Sequence, residues 1–193
     1  MTEEVLARGF YRRDSLAVAP DLLDRLLVVG DRAGRIVEVE AYCGADDPAS
    51  HAFRGPTPRN LTMFGPPGHL YVYFTYGMHF CANVVCGEEG EAAAVLLRGL
   101  TALRGVDAMR AVRPTARRDR DLGAGPARLC VALGIGRAHD GADLVTGDRG
   151  VVVVDDGTRP AVVSVSGRIG LRVATDRPWR FYVPGAPGLS RPG

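Results

Sequence analysis

The chain has 193 residues, 46% apolar and 24% charged, a balance that suits an ordinary single globular domain and excludes a disordered or fibrous chain. A net charge of +2 excludes a strong global field, so any basic surface for an acidic partner must come from how charge is distributed. All 24 basic residues are arginine, so no side-chain amine exists to form a Schiff base.

In chain order, "RRDSLAVAPDLLDRLLVV" predicts a short amphipathic helix, capped by Asp14 or Ser15, running into a strand. The glycine-bounded turn "GDRAG" leads into "RIVEVEAY", whose strict alternation predicts a half-buried hairpin strand. Regular alternation places Ile36, Glu38, Glu40 and Tyr42 on one face and Val37, Val39 and Ala41 on the other. Solvated glutamates over a valine core is one meaning of that pattern. The other is a site, with Glu40 as a base and Tyr42 as one side of a slot for a flat ligand.

"CGADDPASHAFRGPTPRN" is a long loop of Gly, Pro and small polar residues. After it, "LYVYFTYGMHFCANVV" sets Leu70, Val72 and Phe74 against Tyr71, Tyr73 and Thr75, with Tyr76-Gly77 where two strand-like runs meet. Tyrosines packing a core edge explain it. So does a tip that fills the gap left by an extruded base.

"EAAAVLLRGL" is a strand candidate, and "TALRGVDAMRAVR" has helical spacing. "RPTARRDRDLGAG" is expected to be a mobile, arginine-dense surface loop. "GPARLCVALGI" predicts a helix with Pro126 in its first turn. "GVVVVDD", "AVVSVSGRIGL" and "WRFYVPG" complete the set as strands. The fold class that follows is mixed α/β (α+β). One domain over residues 1–193 is expected, with a mostly antiparallel sheet and a few helices. Residues 1–9 and 191–193 are expected to be flexible ends.

Cysteines 43, 81, 86 and 130 form no CxxC and no zinc-like spacing, which suits buried thiols in a reducing compartment. The charged N-terminus lacks an apolar signal region, and no run reaches membrane-spanning length. A cytoplasmic protein with no membrane partner is expected, nucleoid-associated if bacterial.

Several stretches together resemble one family. "VEVEAYCGADDPASHAF", "GPTPRNLTMFGPPGHLYVYFTYGMHFCANVV", "AAAVLLRGL", "GPARLCVALGI" and "PWRFYVPGAPGLS" are similar to the alkyladenine (3-methyladenine) DNA glycosylases, from about Phe10 to Ser190. The resemblance implies a single compact domain with a curved, mostly antiparallel sheet, flanking helices and a protruding β-hairpin, without metal or organic cofactor, expected as a monomer on double-stranded DNA that carries damaged purines. It implies Glu40 as the residue that activates water and Arg98 as the arginine that helps hold that water. Tyr42 is implied as one wall of the base slot, with His51 and Tyr73 as the other. Tyr76 resembles the intercalating tyrosine, and Asn83 the side chain that disfavours the 2-amino group of guanine. A backbone carbonyl near Ile169 is implied beside the water. His79 departs from the family's usual tyrosine.

The implied reaction is monofunctional hydrolysis of the N-glycosidic bond of alkylated purines by base flipping, in base excision repair. The expected substrates are 3-methyladenine and 7-methylguanine, with hypoxanthine and ethenoadenine behind them. His51 is the tempting acid for neutral lesions. Arg54, Arg59, the five arginines of residues 110–120, and Arg128 at a helix start are candidate DNA contacts. The rivals are a non-catalytic nucleic-acid-binding module of the same fold, and a metal hydrolase using His51, His69, His79 and Glu40.

Overall fold

A computed structural model of the chain describes residues 3–75 and 77–191. Its first elements are β1 (Glu4–Val5), α1 (Arg8–Tyr11), α2 (Ser15–Leu22), β2 (Leu26–Val29) and β3 (Arg32–Cys43). β4 (His69–Thr75), β5 (His79–Cys86), β6 (Ala93–Arg104), α3 (Val106–Val112), β7 (Gly123–Ala124) and α4 (Pro126–Leu133) follow. The last are β8 (Ala142–Asp143), β9 (Val151–Asp155), β10 (Ser164–Ser166) and β11 (Arg180–Tyr182).

Asp14 caps α2 by accepting the Leu16 N–H at 2.7 Å, as its position before an apolar run dictates. Pro126 opens α4, where its missing N–H costs no hydrogen bond. Every strand pairing among the described residues is antiparallel. The sheet runs β1-β9-β2-β3-β6-β5-β4-β8, with β7 added to β6 and the β10–β11 pair joined to β3. β2 accompanies the first part of β3, and β11 pairs with it at Glu38–Glu40. The expected mixed fold with an antiparallel sheet and few helices is the one observed.

One face of the sheet carries the main core. Val18 and Leu22 of α2 and Leu129 and Leu133 of α4 pack there with Leu27, Val39, Leu70, Val84 and Leu97. The other face holds a smaller cluster under the long loop, with Tyr71, Val85, Ala94, Ala52 and Met63. The alternation expected for the β4–β5 hairpin is therefore observed, with Leu70 and Val72 on one side and Tyr71 and Tyr73 on the other. The two strands pair from Leu70↔Val84 to Thr75↔His79. Tyr76, the expected hairpin tip, lies outside the described residues.

Three expectations are corrected. Ile36 does not share the glutamate face. The β3–β6 register slips between Ile36 and Glu38 and again between Glu38 and Val39. Ile36 and Val39, three apart, therefore both enter the main core, as do Leu97 and Leu100 opposite them. Second, the residues expected to open a helix at Thr101 continue β6 to Arg104; Gly105, at φ 68°, breaks the strand, and only Val106–Val112 is helical. Third, the strand expected across 161–171 forms only at Ser164–Ser166, because the next turn sends Arg168 into the interior. At the start of the chain, Glu4–Val5 pairs with β9 and Arg8 bridges Asp143 at 2.6 Å. The arginine-dense segment after α3 is tied by ion pairs and includes a 3-10 turn at Asp119–Asp121.

Candidate active site

Directly paired residues on antiparallel strands project to the same face. Glu40 pairs with Leu96, Leu96 with Asn83, and Asn83 with Tyr71, so one row crosses β3, β6, β5 and β4. A carboxylate stands at one end of that row and an aromatic ring at the other. Arg98, two residues beyond Leu96 and so on the same face of β6, joins the carboxylate end; it is left unpaired at the bulge between Leu97 and Gly99.

Glu38 and Glu40 are both fully buried, so neither is the solvated residue of a wet sheet face. Their partners differ. Glu38 accepts from Arg98 Nε at 3.1 Å, Arg180 Nε at 2.8 Å, the Ser190 N–H at 2.6 Å and the Ser190 hydroxyl at 2.7 Å. Burial alone drives its pKa up, but the Ser190 N–H, the Arg180 guanidinium and the Ser190 hydroxyl together outweigh burial and hold it below the usual carboxylate range. Glu40 accepts the Ile169 N–H at 2.7 Å on Oε1 and the Tyr42 hydroxyl at 2.9 Å on Oε2, and Arg98 Nε lies 3.4 Å from Oε1. Here burial wins over Arg98 and both hydrogen bonds, and the pKa is raised. Of Ile169, the amide reaches the carboxylate.

The C-terminal segment closes over Glu38. Gly188 takes φ +93°, and a Cβ there would run into the Leu100 carbonyl oxygen, so only glycine lets the segment cross β6 this closely. Ser190 is thereby delivered to Glu38, and Arg98 Nη2 reaches its hydroxyl at 3.3 Å.

Beside Glu40 opens a hollow of about 110 Å³, lined by Tyr42, His51, Tyr71, Tyr73, Asn83 and Leu171, among others. The Tyr42 hydroxyl is the link between hollow and carboxylate. On the far wall Tyr71 and Tyr73 stack at 5.5 Å, and His51 meets Tyr73 edge-on at 4.5 Å. His51 Nδ1 lies 3.2 Å from the Tyr71 hydroxyl. Although much of His51 is open to solvent, the crowding of its imidazole and then the Arg59 charge lower its pKa, favouring the neutral ring. Asn83, 5% exposed, gives its amide N–H to the Tyr71 carbonyl at 3.3 Å.

Two loop anchors set these walls. Asn60 accepts the N–H and hydroxyl of Thr57 at 2.6 and 2.9 Å and donates to the carbonyls of His51 and Gly55 at 2.8 and 3.2 Å. Arg168 forms a bidentate pair with buried Asp47, donates to the Ala41 carbonyl, and lies between the rings of Tyr42 and Trp179 at 4.6 and 5.0 Å. That pair ties the loop after β3 to the loop that carries Ile169.

The structure thus gathers Glu40, Arg98, Tyr42, His51, Tyr73 and Asn83 at one place. Arg59 lies at its edge, exposed, donating to the Phe74 carbonyl at 2.9 Å. Arg128 is exposed on α4, where it lines an open cleft with Arg98, Gly125, Ile169 and Ser190. Sequence reasoning did not single out Glu38 as a site residue, nor Asp47, Arg168, Arg180 and Ser190. Only the position of Glu38 on the alternating strand carried a signal. Among the described residues no group of three His, Cys, Asp or Glu gathers as metal ligands, and no helix is long and apolar enough to cross a membrane.

A sequence profile of the methylpurine-DNA glycosylase family matches residues 9–187. The chain belongs to that family. It is similar to a protein of Burkholderia lata at 58% identity over 190 residues, covering 97% of this chain and 92% of the relative. A Streptomyces avermitilis protein is 48% identical over 194 residues, covering 96% and 90%. One from Leifsonia xyli subsp. xyli is 49% identical over 192 residues, covering 95% and 90%. All three are provisionally named 3-methyladenine DNA glycosylases. As a methylpurine-DNA glycosylase, the chain is a DNA-repair hydrolase that acts on N-glycosyl bonds in DNA.

Proposed function

We propose that this glycosylase releases alkylated purines from duplex DNA as a monofunctional hydrolase, with cationic 3-methyladenine and 7-methylguanine as its first substrates. The observation that carries the proposal is the buried Glu40, joined through the Tyr42 hydroxyl to an aromatic slot. The lesion nucleotide leaves the base stack and its purine enters the slot between Tyr42 and the His51–Tyr73 wall. Tyr76, outside the described residues, is the proposed plug for the vacated space.

When the C1′–N bond breaks, its electron pair leaves with the purine and positive charge grows on the sugar. Glu40, ionised, stabilises that charge and takes a proton from the water whose oxygen bonds to C1′. Arg98 helps hold that water and offsets the charge of Glu40. A base alkylated at N3 or N7 is already cationic, so it departs as a neutral purine without an acid. Its charge also favours the electron-rich faces of Tyr42 and Tyr73. His51, with its lowered pKa, serves as a wall of the slot. Asn83 stands where a purine edge meets the slot floor, which suits discrimination against the 2-amino group of guanine. Arg59 and Arg128 contact the DNA backbone. Without lysine, the terminal amine is the one amine left that could cut the backbone through a Schiff base, and the proposed product is an abasic site.

The test is base release from duplexes carrying one lesion each, for the parent and for Glu40→Gln. Loss of release with retained binding is expected. Equal release by the two proteins, or binding without release by the parent, would overturn the proposal. A borohydride-trapped protein–DNA adduct would separately reject the monofunctional assignment.

A further inference from the structure

Five arginines lie between residues 110 and 120, and their pairing is uneven. Arg110 bridges Asp107 and Asp119, each at 2.8 Å, and Arg118 pairs with Asp121 at 3.3 Å. Arg113 and Arg117 instead turn to a second cleft, where Arg128 of α4 meets them. That cleft is open to solvent, and Thr115 and Asp121 complete its polar lining.

Among the described residues none of these three arginines has a carboxylate within ion-pair distance. Arg113 makes one long bond, from Nη2 to the Asp121 carbonyl at 3.4 Å, and its buried Nε has no partner. Arg128 reaches only the Ala124 carbonyl, at 3.2 Å. The one acid in the lining, Asp121, is occupied by the Nε, Nη2 and backbone N–H of Arg118. Burial, followed by the charge of Arg128, lowers the pKa of Arg113, the sign of a cation short of counter-charge. Three like charges around one hollow, with donors left over, favour an anion. Arg128 also lines the neighbouring cleft with Ser190 and with Arg98 and Ile169, which both reach Glu40, so Arg128 links the arginine hollow to the cleft beside that carboxylate.

We propose that Arg113, Arg117 and Arg128 clamp one backbone phosphate of the DNA strand that passes the catalytic cleft. The ligand chemistry is a phosphodiester oxygen pair, met by guanidinium donors and the Thr115 hydroxyl. The proposal rests on the DNA-glycosylase function above and adds a fixed backbone contact outside the base slot.

The test uses duplexes carrying an uncleavable abasic-site analogue, with flanking phosphates replaced singly by neutral methylphosphonate. The parent is expected to lose about tenfold in affinity at one phosphate position. Arg117→Gln and Arg113→Gln should bind the unmodified duplex correspondingly less well, be indifferent to that one replacement, and show a salt slope reduced by about 1. Arg117 is exposed, so its variant probes the clamp without threatening the fold. Inorganic phosphate at millimolar concentration should compete weakly and equally with parent and variants; strong competition with the parent alone would reassign the cleft to a free anion. Variants that respond to every methylphosphonate as the parent does would overturn the clamp. Base release from a lesion duplex is followed in parallel: its absence would sink the proposed function and leave the phosphate result standing.

Discussion

Glu38 and Glu40 lie two residues apart on β3, equally buried, with pKa values displaced in opposite directions. Glu38 meets two guanidiniums and both donors of Ser190, whereas burial dominates at Glu40. This is the separation that assigns different tasks to neighbouring carboxylates. Glu38 is held as an anion against Arg98 and Arg180, and the raised pKa of Glu40 suits the base of the proposed reaction.

The first prediction is an acidic limb in the pH dependence of base release. In the proposed reaction Glu40 acts only when ionised, so the rate should fall as pH drops through its raised pKa. Single-turnover release of 7-methylguanine should lose rate tenfold per pH unit beginning above the ordinary carboxylate range. A limb at or below a normal glutamate pKa would show that another group sets the profile.

Glu38→Gln should damage stability as well as rate. It removes an anion but leaves Arg98 and Arg180 buried, a loss of about 3–5 kcal/mol when one partner of a buried pair is taken away. The sign of the pH dependence follows from the depressed pKa. The contribution of Glu38 is present above the unfolded-state value and fades as pH falls through the folded-state value. Urea melts should therefore show the parent losing more stability than Glu38→Gln as the buffer is made more acid than the ordinary carboxylate range. Parallel pH–stability curves would contradict this.

Tyr42→Phe keeps the slot wall and deletes the hydroxyl that donates to Glu40 Oε2. A hydrogen bond to a charged acceptor contributes about 1.5–3 kcal/mol, so the ionised form of Glu40 becomes less favourable. The acidic limb should move to higher pH by about one to two units, since each unit is about 1.4 kcal/mol. Binding of an abasic-analogue duplex should change little. A limb that stays in place, with weakened binding instead, would mean that Tyr42 acts only as a wall.

Much of this site is legible in the sequence because its elements are periodic. "RIVEVEAY" marks a strand with Glu40 and Tyr42 on one face, and "LYVYFTY" separates Tyr71 and Tyr73 from Leu70 and Val72. The pattern does not show that Glu38 and Glu40 are buried. Their partners Arg98, Ile169, Arg180 and Ser190 lie 58 to 152 residues away in the chain. Nor does it show the slips at Val37 and Arg98, since a bulge leaves local hydrophobicity unchanged while turning every later side chain over. "TALR" illustrates the same limit: its spacing fits a helix, but pairing with β3 holds it in β6.

The last prediction concerns the loop that carries His51. Asn60 is 3% exposed and uses both ends of its amide, accepting twice from Thr57 and donating to the carbonyls of His51 and Gly55. Asn60→Ala leaves those groups without their partner, at a cost of about 1–3 kcal/mol. His51 then loses its fixed place against Tyr73, and the slot loses one wall. Thermal melts should show the lower stability, and capture of a lesion base should weaken more than binding of undamaged duplex, because Arg113, Arg117 and Arg128 of the proposed phosphate clamp lie outside this loop. Asn60→Asp separates the two ends of the amide: the acceptor for Thr57 survives, while the donor to His51 is lost. If the donor sets the wall, Asn60→Asp should recover stability only in part and leave lesion capture as weak as in Asn60→Ala; full recovery of capture would place the determinant at Thr57 instead.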